Sequence, residues 1–228
     1  MSAPTPQRGA ALLELVAVMA RLRGPGGCPW DAEQTHESLA PHLLEETYEL
    51  LEAIDLRDDD AMRDELGDVL LQVVFHAQLA ADEGRWDIDD VANGLLAKLV
   101  RRHPHVFADT EVAGADEVLR NWERLKAEHE GRRPGVDEDI PEALPALMRA
   151  AKVQRRAAAW GFEPGDREAV LTALRAAVER LASDPTDAAL GDVLFAAVVV
   201  ARANGTDAEG ALRSRLRTFA EGVDPARD

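Results

Sequence analysis

The pentapeptide Leu-Gly-Asp-Val-Leu occurs twice in this chain, at 66–70 and again at 190–194. Each copy lies in a longer matching stretch, Glu65 to Gly84 and Ala189 to Gly205, and both stretches end at a glycine. Upstream, "LEETYELLEA" (44–53) runs parallel to "LRAAVERLAS" (174–183). A repeat of this length is one supersecondary unit used twice. Its apolar residues recur three and four apart, so the unit is a pair of helices.

The rest of the chain carries the same period, and no segment reads as a convincing strand pair. The fold class is therefore all-α. Leu12, Leu13, Val16 and Met19 form the stripe of a first helix, which "RGPGGCPWD" interrupts. Further helices are predicted over about 38–56, with Pro41 in the first turn, and over 60–83, 89–102 and 116–130. Four more follow over about 143–160, 166–182, 185–204 and 207–221, the third opened by Asp184 as N-cap and Pro185 at the first helical position. Segment 131–142 holds Gly and Pro and few apolar residues, so it reads as a linker between domains at 1–130 and 143–228.

With 46% hydrophobic and 30% charged residues, the chain has the composition of a globular protein. A net charge of −17 argues against unspecific binding to nucleic acid or an anionic membrane. No apolar run approaches the roughly 20 residues of a membrane span. The N-terminus lacks the order of a signal peptide, and Cys28 is the only cysteine, which suits a reducing cytoplasm.

The first copy of the unit is crowded with acid. Glu46 and Glu49 are three apart on one helix, and Glu65 and Asp68 repeat that spacing on the next. A short connection makes the two helices antiparallel neighbours, so four carboxylates can converge. Unneutralised, they would repel and some would protonate. A hard divalent ion removes the conflict, and an all-oxygen set selects Mg²⁺ or Mn²⁺. Glu45 and Glu52 lie close enough to orient a water. The competing view is a solvated acidic face. Asp58, Asp59 and Asp60 read as a loop and N-cap only. Gly67, beside the acids, suits either a metal site or close helix packing, since Gly191 repeats it. In the second copy Glu45, Glu46 and Glu65 become Arg175, Ala176 and Ala189, and only Glu179 and Asp192 keep their acids.

"CPWDAEQTHESLAPHLLEETYELLEAI", "DELGDVLLQVVFHAQLA" and "KLVRRHPHVF" resemble the MazG family of nucleoside triphosphate pyrophosphohydrolases, as do "VLRNWERLKAEH" and "LPALMRAAKVQRRAAAWGF". The resemblance covers nearly the whole chain. It implies two tandem helical units of the four-helix-bundle-like, all-α NTP pyrophosphatase type, the second degenerate, in a homodimer. It also implies Mg²⁺-dependent hydrolysis of NTPs or dNTPs to monophosphate and pyrophosphate, a house-cleaning activity on the nucleotide pool. Glu46, Glu49, Glu65 and Asp68 would be the metal ligands, with Glu45 beside them. Where the family commonly shows Asn and Lys in the second unit, this chain has Leu216 and Thr218.

Charge neutralisation at a triphosphate also calls for basic side chains. Lys98, Arg101 and Arg102 are placed for this by family analogy, although cations at a helix C-terminus need no further role. Trp30 either stacks on a base or fills the core, the commoner use of a tryptophan. Cys28, His103 and His105 make a weak zinc set. "GPGGCPW" follows a helix and lacks the P-loop Lys-Ser/Thr. A dUTP- or phosphoribosyl-ATP-specific enzyme of the same superfamily and a non-enzymatic helical module remain the alternatives.

Overall fold

The structure is a computed structural model, and it describes residues 8–108, 114, 135–162 and 164–223. Every regular element among them is a helix. The helix expected at 116–130 lies outside the described residues. The chain divides into two compact units, Met1–Glu111 and Val112–Asp228.

In the first unit, α1 (Ala10–Arg23) packs on α4 (Asp59–Asp82), which lies along α3 (His36–Leu56). A short helix, α2 (Pro29–Glu33), sits where the sequence suggested only a break. It starts at Pro29, whose fixed φ suits a first helical position. The turn before it needs Gly27, because a Cβ there would stand 2.1 Å from the Leu22 carbonyl oxygen. Arg23 then ties the corner together, donating to the Asp31 carbonyl and, at 2.7 Å, to the Asp82 carboxylate.

The helix ends follow from capping chemistry. Thr35 accepts from the Ser38 N–H while Ser38 Oγ accepts from the Thr35 N–H, so α3 begins at His36. Pro41 therefore falls in the second turn rather than the first, where it removes one intrahelical hydrogen bond. Two residues connect α3 to α4. Arg57 takes the left-handed conformation (φ 56°), and Asp58 caps α4 by accepting from the Asp60 and Ala61 N–H groups. Asp58 is thus a capping residue, as its position suggested.

Met19, Leu39, Val74, Phe75 and Leu79 form the core of this unit, with Leu15, Val16, Leu22, Leu71 and Ile88 against it. The buried stripe of α1 is Leu15, Val16, Met19 and Leu22, so Leu12 and Leu13 lie outside it and are exposed. Beyond α4, α5 (Ile88–Arg102) buries no residue at all, and α6 (Pro104–Phe107) follows directly.

The second unit contains α7 (Ala146–Ala159), α8 (Arg167–Ser183), α9 (Asp187–Ala203) and α10 (Ala208–Val223). Its α8–α9 hairpin is the repeat partner of α3–α4. Thr186, not Asp184, caps α9, because its hydroxyl reaches the Ala189 N–H. Val170, Ala177 and Val198 are buried, and Gln154 of α7 donates to the Phe195 carbonyl. Residues 135–141 are turned back on this unit: Ile140 is buried and Arg156 donates to the Gly135 and Glu138 carbonyls.

Candidate active site

The α3–α4 hairpin brings together three carboxylates that the sequence spacing singled out. Glu46 and Glu49 project from successive turns of α3, and Glu65 meets them from α4. One oxygen from each lies within 4.8 Å of the other two. The short Arg57–Asp58 connection makes this possible, since it folds the hairpin with little slack. Glu46 and Glu65 are half-buried, and Glu49 is exposed. Asp68 stands outside this tight group, although its charge reaches both Glu46 and Glu65.

The electrostatics are those of crowded carboxyl groups. Burial first, then the negative charges of Asp68, Glu49 and Glu45, hold the Glu46 carboxyl above its ordinary range, with His42 opposing them. For Glu65 the order is burial, then the charges of Glu49, Asp68 and Glu46, then a hydrogen bond shared with the Glu49 carboxyl. Oε2 of Glu65 is shielded from solvent and has no hydrogen-bond partner. A buried carboxylate oxygen with no donor is costly. A divalent cation among these oxygens would satisfy it, so the residues present fit a hard, oxygen-seeking metal ion. Cys28, His103 and His105 make no comparable cluster among the described residues; His103 instead uses Nδ1 to donate to the Leu99 carbonyl.

Around the three carboxylates the remaining residues divide clearly. Glu45 is exposed, 3.8 Å from His42 Nδ1 one turn earlier. Glu52 is exposed on the next turn of α3. Trp30 is not core, with 53% of its surface open. One edge of it meets the buried Phe75 ring at 6.5 Å and another part meets His42 at 6.3 Å, both T-shaped. The short helix α2 carries it on the surface, which is why it escapes burial. His42 is the residue that sequence reasoning missed. Its spacing to Glu45 and Glu46, three and four residues, was the available signal. Lys98 and Arg101 are exposed and Arg102 half-buried on the last turns of α5, a separate helix that packs on α4.

The same hairpin in the second unit holds a different arrangement. Ala176 and Ala189 replace Glu46 and Glu65, and Arg180 reaches Asp192 at 3.4 Å. The result is an open hollow of about 510 Å³ lined by Ala176, Glu179, Arg180, Ala189 and Asp192 among others.

Residues 34–107, which span both carboxylate-bearing helices, match the MazG nucleotide pyrophosphohydrolase domain. Across 220 residues the chain is 44% identical to the nucleoside triphosphate pyrophosphohydrolase/pyrophosphatase MazG of Thermotoga maritima, covering 94% of this chain and 85% of that protein. This chain belongs to the MazG family. The nucleoside triphosphate pyrophosphohydrolase of Escherichia coli K12 is likewise 44% identical, over 90% of this chain and 82% of that protein. The Mycobacterium tuberculosis protein of that name is 46% identical over 164 residues, about half of its own length. MazG membership agrees with the all-α fold, and the matched segment contains every carboxylate of the cluster.

Proposed function

We propose that this chain hydrolyses nucleoside triphosphates, ribo or deoxy, to the monophosphate and pyrophosphate, working from the α3–α4 carboxylates of its N-terminal unit with Mg²⁺, for which Mn²⁺ can substitute. The observation that carries the reading is the convergence of Glu46, Glu49 and Glu65 within 4.8 Å, with Glu65 Oε2 left unpartnered. Glu46, Glu49 and Glu65 hold the cation, and Asp68 adds its charge and completes the set. A divalent ion there supplies charge neutralisation at the triphosphate and a water of lowered pKa.

The chain's own residues do the rest. Glu45 and Glu52 flank the ligands on α3 and orient the attacking water. Water adds to the α-phosphorus, the bond to the bridging oxygen breaks, and that oxygen leaves on pyrophosphate. Lys98, Arg101 and Arg102 screen the distal phosphates, where charge develops on the leaving group. Trp30 offers a half-open ring face to the base, held from behind by Phe75. The second unit, in which Arg175, Ala176 and Ala189 stand at three of the acidic positions, contributes packing or regulation.

The working form is a homodimer. Leu66, Leu70 and Val73 make an exposed stripe on α4 at i, i+4 and i+7, and α5 exposes Leu95 and Leu99. Stripes of this kind on several helices call for a partner surface. A Cβ on Gly67, beside Leu66, meets nothing within 4 Å, so tight packing inside the unit does not explain this glycine. The charge of −17 and the single Cys28 fit a cytoplasmic enzyme acting on free nucleotides, clearing them from the pool without nucleic acid or membrane as partner.

Incubation with a panel of NTPs and dNTPs plus Mg²⁺, with the products identified, tests this reading. Monophosphate with pyrophosphate is expected. Diphosphate with phosphate, or no turnover on any nucleotide, would sink it.

A further inference from the structure

At the far end of the α3–α4 hairpin lies a second set of titratable groups that the reaction does not use. His36, the first residue of α3, meets His76 of α4 edge to edge, with their planes 2° apart and ring centroids 5.0 Å apart. Their Nδ1 atoms are 2.7 Å apart. On the other side of His36, Nε2 is 2.8 Å from Nη2 of Arg85, in the turn from α4 to α5. Trp86 of the same turn stacks on His36 at 6.4 Å, with the Arg85 guanidinium over its ring.

These contacts fix the protons. Arginine only donates, so Nε2 of His36 must accept, and its proton sits on Nδ1. That Nδ1–H donates to Nδ1 of His76, which must therefore be bare. The His76 proton is then on Nε2, a buried atom with no partner. The chain runs in one direction, from Arg85 to His36 to His76, and has no place for an added proton. A charged His36 would point an N–H at the guanidinium. A charged His76 would point one at His36.

We infer that the His36–His76–Arg85 chain is an acid-sensitive lock, closed only while both imidazoles are neutral, that fastens the start of α3 and the α4–α5 turn to α4. It bears on α5 because that helix has no fully buried residue and Ile88, which packs against the core, directly follows the turn, so the turn is a main part of its anchorage. The charged neighbours are accounted for. Glu37 follows His36 on α3, and its carboxyl is held low by hydrogen bonds from its own backbone N–H and the Thr35 hydroxyl, and least by charge on His36, which makes it the one carboxylate among the described residues that favours a charged His36. Glu83 binds Arg85 Nε at 2.6 Å, so Arg85 stays paired when the lock opens. Asp82 is taken by Arg23 of α1 and by Gln78, and Asp87 and Asp90 cap α5. None of these carboxylates is hydrogen-bonded to either imidazole among the described residues. Burial, then the charge of His36, pushes the His76 ring below the ordinary histidine range. A depressed folded value means that the stability it confers is present above pH about 6.5 and is lost as pH falls through the folded value.

Long-range ¹⁵N NMR of the full chain at neutral pH tests the lock. The expected result is opposite neutral tautomers, His36 protonated on Nδ1 and His76 on Nε2, with His76 charging only well below pH 6.5. Identical tautomers, or a charged His76 at pH 7, would overturn it. Amide hydrogen exchange over 83–90 adds a local readout. After correction for intrinsic rates, it should accelerate about tenfold for each unit by which the pH falls below the unfolded histidine value. In the non-titrating H36F/H76F variant that acceleration should vanish. Equal acceleration in both proteins would also overturn the lock.

Discussion

The two hairpins of this chain share a sequence frame and differ in what sits between their helices. In α3–α4, three carboxylates crowd within 4.8 Å. In α8–α9, two of the equivalent acids are alanine and Asp192 has Arg180 as its partner. In the first arrangement the carboxylates raise one another's pKa, whereas in the second an arginine stands beside the remaining aspartate. What both retain is also instructive. Leu66 and Leu70, and their counterparts Leu190 and Leu194, are exposed in all four cases. Gly67 and Gly191 both open onto empty space. The repeated pentapeptide therefore maintains an outward surface rather than the interior of its own unit.

The strongest test of the contrast is activity. Glu49→Gln should lower pyrophosphate release by more than about 100-fold, since even partners of metal ligands cost 10- to 100-fold when removed. Glu179→Gln, at the same place in the second hairpin, should leave it nearly unchanged. The reverse result would move the active site to the second unit. Next in size, if α4 forms the proposed dimer interface, Leu66→Asp with Leu70→Asp should give a monomer in sedimentation, because two charges per chain would be buried unpaired. A dimer that survives would place the interface elsewhere.

Thermal stabilisation by Mg²⁺, if the first hairpin binds it, should separate the hairpins by pH. Raised carboxyl pKa values mean that protons bind the folded first site more readily than the unfolded chain, and the stability they confer is lost as pH rises through the raised values. The cation takes over there. The Mg²⁺-induced rise in melting temperature should be several degrees at pH 8, shrink toward pH 5, and vanish at both in Glu65→Gln. The smallest effect belongs to Arg180→Ala. Its ion pair is exposed and 3.4 Å long, so its removal should change unfolding free energy by no more than about 1 kcal/mol.

Much of this was legible in the sequence because helical period and capping are local. The α3 and α4 frames, the Asp58 cap and the convergence of Glu46, Glu49 and Glu65 all follow from residues within a few turns of one another. What the sequence obscured depended on contacts between segments. Trp30 looked like a core residue by type, but α2 holds it at the surface against Phe75 and His42. Leu12 and Leu13 share the apolar character of Met19 but not its face of α1. Pro41 suggested a later helix start than Thr35 and Ser38 enforce with their reciprocal cap. The His36–His76 pair joins residues 40 apart, and no local pattern announces it.

If the first hairpin alone holds a metal ion, bound metal should disappear with its glutamates. Counting bound Mn²⁺ by electron paramagnetic resonance, in the wild-type chain and in Glu46→Gln/Glu49→Gln, tests it most directly. The expected outcome is specific binding in the wild type and none in the double variant. Specific binding that persists in the variant would contradict the claim and return the second hairpin to the chemistry.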